Sequence, residues 1–456
     1  MDEAAETWSG ALDAGSQRLR LKLEIGADGT ASLLSLDEGN EPMAAGVKSW
    51  TADQVEVEFP AIQATFCGKL VGEDRIEGAW QQSGADFPLV MERGEAALAP
   101  LAPPTPLTHQ RLAELRRQSG SPALAAACER RDAPPRIWVD GERAIGSGVA
   151  VAATDRWHLG SITKSMTASL VARLVDAGAL RWDESIGEVL GEILPSILDA
   201  YRPATLAHLL SHRAGLPRDL PAEELSQFSP ELADAREERQ LFARMALEMT
   251  PLGPMTQTFE YSNIGYAVVG AMLEAKLGES WEDLMRARVF APLGLFSAGF
   301  GAPGRAGAID EPLGHIPEPD SDAPMAIPAG DALADGPAVT GPGGRVHMNL
   351  PDFLRYLAAH RDRTDYLQPD TWTILHTPPF GGDYAMGWEV RADGALMHGG
   401  SNGAWYAFAL VDGAAGIVAA TAGNYGSMAK MTPIVGHALA EAAAAAADQT
   451  PGLPSV

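Results

Sequence analysis

Leu159-Gly160-Ser161-Ile162-Thr163-Lys164-Ser165-Met166-Thr167 opens a helical pattern whose apolar positions run on through Leu170, Leu174 and Val175. Residues three apart on a helix share a face, so the Lys164 amine can reach the Ser161 hydroxyl. A serine hydroxyl is a poor nucleophile until a neighbouring base takes its proton. An amine serves as that base only when neutral, and packing a lysine against an apolar core penalises its charged form. Lys164 is also the only lysine between Lys69 and Lys276. A Ser-x-x-Lys spacing arises by chance on exposed helices, so the pair needs partners elsewhere in the chain.

Two partners follow in order. Glu260-Tyr261-Ser262-Asn263-Ile264-Gly265-Tyr266 places a Tyr-x-Asn triplet just before a helical run at 266–277. Met397-His398-Gly399-Gly400-Ser401 then opens a strand-like stretch. Ser-x-x-Lys, Ser-Asp-Asn and Lys-Thr-Gly are the signatures of class A β-lactamases and penicillin-binding proteins. With Tyr-Ser-Asn second and His-Gly-Gly third, roughly residues 110–445 resemble the class C-type serine β-lactamase and penicillin-binding-protein superfamily. Its branches include D-Ala-D-Ala carboxypeptidases, D-aminopeptidases and esterases. Leu206-Ala207-His208-Leu209-Leu210-Ser211-His212-Arg213-Ala214-Gly215-Leu216, Gly343-Gly344-Arg345 and Met386-Gly387-Trp388 look like further landmarks in family order.

The resemblance implies an α+β hydrolase domain with an antiparallel sheet flanked by helices and a helical region. It makes Ser161 the acylated nucleophile. Lys164 and Tyr261 would share its proton and pass it to the leaving group, a step worth about 10²–10⁴-fold. Asn263 would hydrogen-bond the lysine or a substrate amide. The backbone N–H groups of Ser161 and Ser401, with Gly400 beside them, would form an oxyanion hole, where losing a donor costs roughly 3–4 kcal/mol. His398 departs from the lysine form: histidine is mostly neutral near pH 7, with a reference pKa of about 6.5. It would donate a hydrogen bond instead of offering a fixed cation to a substrate carboxylate. The implied activity is hydrolysis of short peptides or amides, D-amino-acid ones included, or small esters, without metal or organic cofactor. Two alternatives stay open: β-lactamase or penicillin-binding activity on the same site, and a catalytically silent ligand-binding or sensor protein.

Upstream the pattern changes. Leu19-Arg20-Leu21-Lys22-Leu23-Glu24-Ile25 and Val55-Glu56-Val57-Glu58-Phe59 alternate apolar and polar, the period of half-buried strands. Turn signals such as Ala27-Asp28-Gly29 separate these runs. Residues 1–97 therefore read as all-β, a small barrel or a sandwich, and their motifs resemble the small lipocalin-like β-barrel modules sometimes fused to such hydrolases, which implies the barrel. The Pro-rich stretch 98–108 reads as a stiff linker and 109–456 as the hydrolase domain. In that domain, strands are expected near 135–153 and 395–422, a long surface excursion at 300–340, and an alanine-rich helix at 438–450. The stretches 213–258 and 300–340 flank the motifs and are placed to wall the pocket.

The 456 residues carry 34 Lys+Arg and 60 Asp+Glu, a net charge of −26. That acidity speaks against nucleic acid or anionic lipid as partner, since both need a basic surface. No apolar run approaches the roughly 18 residues of a membrane span. Partners are expected to be small molecules or short peptides, with the oligomeric state open and the barrel free to mediate self-association or cover the pocket. Met1-Asp2-Glu3 lacks the basic start of a signal peptide. This leaves a cytoplasmic protein, or a periplasmic or secreted one whose signal has been removed. Cys67 and Cys128 give neither a disulfide framework nor a zinc site, and free thiols are the simpler reading.

Three competing motifs are weaker. Gly399-Gly400-Ser401-Asn402-Gly403 matches a nucleophile elbow, with Asp412 and His437 following, but a strand follows where a helix is needed. His208 and His212 have zinc-binding spacing without the glutamate of that motif. The glycines at 341–344 lack the Gly-Lys-Ser/Thr of a phosphate loop.

Overall fold

The alternating runs become the strands Arg18–Ile25 and Val55–Phe59, whose inward residues Leu21, Leu23, Val55, Val57 and Phe59 are buried. The computed structural model describes residues 6–449 except 14–17, 27–29, 38–41, 52, 63, 83–84, 95–102 and 231–233. The turn at 27–29, residues 98–102 of the linker and the Pro/Gly end from 450 lie outside the described residues. Eight antiparallel strands, from Glu6–Asp13 to Ala85–Arg93, pair in sequence order, and the last closes on the first. Closure removes the free edges of the sheet. At Gly10 an added Cβ would lie 2.3 Å from the Val90 carbonyl oxygen, so glycine lets the first and last strands meet. Trp8, Phe59, Phe66 and Trp80 pack the interior, with Phe59 stacked on Trp80 at 4.8 Å.

Beyond residue 108 the sheet is six-stranded and antiparallel. Its order is Arg136–Gly141, Ala123–Arg130, Ile417–Gly423, Tyr406–Asp412, Leu396–Ser401 and Glu389–Val390. Early and late segments share one sheet, and both faces are covered. Ala123, Ala125 and Ala127 face the helical layer that includes Thr163–Asp176 and Leu350–Asp362. Leu124, Ala126 and Cys128 face the helices His109–Ser119 and Met428–Ala447. Burial on both faces explains why the central strands read as continuous apolar runs.

Some expected boundaries move. Of 135–153, only Arg136–Gly141 is a strand; glycines with φ of 104°, 71° and 68° at 141, 146 and 148 turn the chain away. The expected C-terminal helix starts earlier, at Met428, and contains Pro433. The 300–340 excursion is tied into the domain. It carries the paired strands His315–Pro317 and Pro324–Ala326, and buried His315 accepts from the Ile145 N–H at 3.1 Å.

The barrel's last strand packs on the Met428–Ala447 helix, and His437 Nε2 lies 2.9 Å from Asp13 Oδ1. This contact is on the sheet face turned away from the Ser161 helix, so it is not one that covers the site. Cys67 and Cys128 are free thiols, one in the barrel and one in the sheet. Among the described residues no helix is long and apolar enough to cross a membrane.

Candidate active site

Ser161 sits on a 3₁₀ turn, Gly160–Ile162, that runs into the helix Thr163–Asp176. A 3₁₀ turn has about three residues per turn, so side chains at i and i+3 eclipse. Lys164 consequently stands over Ser161, with Nζ 3.0 Å from Oγ. Ser161 is half-buried, whereas Lys164 is fully buried.

Two further groups fix the amine. Ser262 caps the helix Asn263–Leu277 by accepting from the Gly265 N–H, which starts the helix at Asn263. Nζ donates to Asn263 Oδ1 at 2.7 Å and to the Gly343 carbonyl at 2.8 Å. The Asn263 amide cannot flip without loss, because its Nδ2 donates to Asp219 Oδ1 at 2.8 Å. Two tetrahedral directions of Nζ are thus committed to acceptors, and a third faces Ser161. Burial lowers the Lys164 pKa to about 7; Asp219 pulls it up and Arg218 down. A large share of the lysine is neutral at neutral pH, with its lone pair available to the serine hydroxyl.

Tyr261 completes the cluster. Its ring centroid lies 4.9 Å from Lys164 Nζ. Burial pushes the phenol well above its usual range, opposed by a side-chain hydrogen bond with Ser161. The phenol therefore stays protonated at neutral pH. His212 packs against Tyr261 at 4.3 Å between centroids and accepts from the Ser262 N–H at 3.0 Å, in a left-handed conformation with φ of 60°.

His398 does not have the free donor expected of it. Nδ1 lies 2.6 Å from the Gly399 carbonyl oxygen, which can only accept, so Nδ1 carries the proton. Nε2 then accepts from the Tyr384 hydroxyl at 3.0 Å. Both nitrogens are engaged within the protein. Burial, helped by Lys164, drives the ring's pKa to about 3, so it is neutral.

Gly400 and Ser401 meet the nucleophile turn directly. A Cβ on Gly160 would lie 2.3 Å from the Ser401 nitrogen, and one on Gly400 would lie 2.8 Å from the Ser161 nitrogen. Gly160 also has φ of 51°. The two amides expected to bind an oxyanion flank this glycine–glycine contact. Ser401 Oγ donates to the Trp405 carbonyl at 2.7 Å, while His437 is paired with Asp13 in the barrel, so the elbow-type triad is not assembled. His208 is held by Thr205 and Thr256, at 2.7 and 3.0 Å, and does not converge with His212. The Gly341–Gly344 segment is a helical turn. Its Gly343 carbonyl binds Lys164, a role for which the Gly343-Gly344-Arg345 string was the one visible signal. Asp219 and Tyr384 belong to no motif.

An antiparallel sheet with a Ser-x-x-Lys turn at its edge and a Tyr-x-Asn triplet brought from the helical layer defines a β-lactamase-like hydrolase fold. The chain belongs to the Beta-lactamase family, which matches residues 111–444. Penicillin-binding protein 4 of Amycolatopsis lactamdurans is 29% identical over 312 residues, spanning 62% of this chain and 75% of that protein. EstCE1, a hydrolase with promiscuous acyltransferase activity, shares the fold with a TM-score of 0.61 and 20% identity, over 73% of this chain and 97% of that one. A D-amino acid amidase from Ochrobactrum anthropi does so with a TM-score of 0.59 and 20% identity, over 73% and 96%.

Proposed function

We propose that the protein is a serine hydrolase working through a covalent acyl-enzyme on Ser161. Its substrates are short peptides or amides, D-amino-acid ones included, or small esters. The observation that carries this reading is the buried Lys164 amine, committed to two acceptors and aimed with its third direction at Ser161 Oγ. Oγ attacks the substrate carbonyl as Lys164 Nζ accepts its proton. The negative oxygen of the tetrahedral intermediate is held by the N–H groups of Ser161 and Ser401. Tyr261, protonated, donates to the leaving nitrogen or oxygen and is reprotonated from Lys164, releasing the first product. Water then attacks the Ser161 ester, and the same groups move its proton in reverse order.

The relatives support this substrate range, since one is an amidase for D-amino acids and another a hydrolase that transfers acyl groups. The neutral, internally engaged His398 gives no fixed cation for the carboxylate of a β-lactam. In a panel of p-nitrophenyl esters, D- and L-amino-acid amides and benzylpenicillin, the ester and D-amide kcat/KM values are expected to exceed that for the β-lactam. Highest turnover on benzylpenicillin would favour the β-lactamase alternative, and no acyl-enzyme burst with any ester would favour the silent sensor. Tyr261→Phe removes the proton relay alone and is expected to lower kcat about 10²-fold, with amides losing more than activated esters because their leaving groups need the proton. Equal losses on both substrates would show that Tyr261 does not serve the leaving group.

A further inference from the structure

Asp335 belongs to none of the motifs and lies at the end of the 300–340 excursion, with its side chain only 5% exposed. Its two oxygens reach both backbone segments that meet at the Gly160–Gly400 contact. Oδ2 accepts from His158 Nε2 at 3.1 Å and from Arg345 Nε at 3.0 Å. Oδ1 accepts from Asn402 Nδ2 at 3.2 Å and from the Gly336 N–H at 2.8 Å. His158 carries the contact onward, because its Nδ1 accepts the Gly160 N–H at 3.1 Å, one residue before Ser161. Asn402, one residue after Ser401, uses its Oδ1 to accept the Ala404 and Trp405 N–H groups at 3.1 and 3.2 Å. One carboxylate thus anchors the segment carrying the Ser161 amide and the segment carrying the Ser401 amide.

We propose that Asp335 is a positioning residue that sets the spacing of the Ser161 and Ser401 N–H groups through His158 and Asn402. The inference rests on the acyl-enzyme reading, in which those amides bind the oxyanion. Every partner of Asp335 donates to it, so the position demands an acceptor on both oxygens. His158 and Arg345 hold the carboxyl well below the usual carboxylate range, which keeps both oxygens acceptors. An amide of the same shape cannot serve both sides. With its oxygen toward Asn402, its NH₂ faces His158, and Nε2 must become the acceptor. The imidazole proton then moves to Nδ1, where it opposes the Gly160 N–H. With the amide turned round, its NH₂ opposes Asn402 Nδ2 instead. The second orientation leaves Asn402 Nδ2 only the Ala334 carbonyl, 3.1 Å away, so either one loosens a wall of the oxyanion hole, where loss of a donor costs about 10²–10³-fold.

The test is Asp335→Asn, assayed with an activated ester and with Ser161 counted by fluorophosphonate titration. Displacing a donor costs less than deleting it, so kcat per titrated Ser161 is expected to fall about 10–100-fold. KM should stay within threefold. Binding of a boronic acid, whose tetrahedral adduct mimics the oxyanion, should weaken in parallel with kcat. A merely structural role would lower the titratable fraction and leave kcat per site unchanged, which overturns the proposal. Asn402→Ala opens one limb only and provides a second, milder variant. It is expected to lower kcat per titrated Ser161 by less than Asp335→Asn does; an unchanged kcat per titrated site in both variants overturns the proposal. Wild-type protein with neither Ser161 titration nor ester turnover would overturn the acyl-enzyme reading, and this inference with it.

Discussion

Lys164→Met is expected to lower kcat/KM for an activated ester by about 10³-fold or more, within the range by which general-base catalysis and nucleophile activation contribute together. Methionine fills much of the same apolar volume but offers Ser161 no proton acceptor. The wild-type pH profile supplies the matching signature. The reactive form is the neutral amine, so acylation is expected to rise with pH through about 7 and then level off, following a lysine brought down from 10.5 by burial. The Met variant should retain its residual rate without that limb. A wild-type limb near pH 10 would mean that burial does not set the amine's charge. A limb that persists in the Met variant would assign it to another group.

The second large effect separates the two serines near the glycine contact. Ser161→Ala is expected to reduce ester turnover by about 10⁴-fold or more, as loss of a catalytic serine does where nucleophile and base act as a unit. Ser401→Ala removes two hydrogen bonds, one to the Trp405 carbonyl and one from the Gly403 N–H, each worth about 0.5–1.5 kcal/mol, but keeps the backbone N–H, and should cost less than about tenfold. The reverse ranking would return the elbow reading of Ser401 to consideration.

Much of this arrangement was legible in the sequence where the interactions are local. Ser161 and Lys164 are three residues apart, and Tyr261 and Asn263 flank a helix cap, so short motifs in family order, read through the resemblance, brought them forward. Alternation at 19–25 and 55–59 revealed an all-β domain because those strands have one buried face, while its closure into a barrel was implied by the resemblance. The less legible parts depend on contacts between distant segments. Gly343 binds Lys164 through its carbonyl at a separation of 179 residues, and a carbonyl carries no residue signature. His398 stands out in the sequence as a histidine where the resemblance offers a lysine, but its engagement by Tyr384 and its own neighbour's carbonyl could not be read from His-Gly-Gly. Asp335 was hidden in a segment read as surface, because burial of a lone aspartate has no periodic pattern. Helix and strand ends shifted where glycine conformation and packing decided them, as at Gly141 and Met428.

The most direct measurement is intact-mass spectrometry of the folded protein after exposure to a serine-reactive fluorophosphonate, with peptide mapping and a Ser161→Ala control. A single adduct is expected on Ser161, absent from the control. An adduct on Ser401, or none on folded protein, would contradict the acyl-enzyme reading.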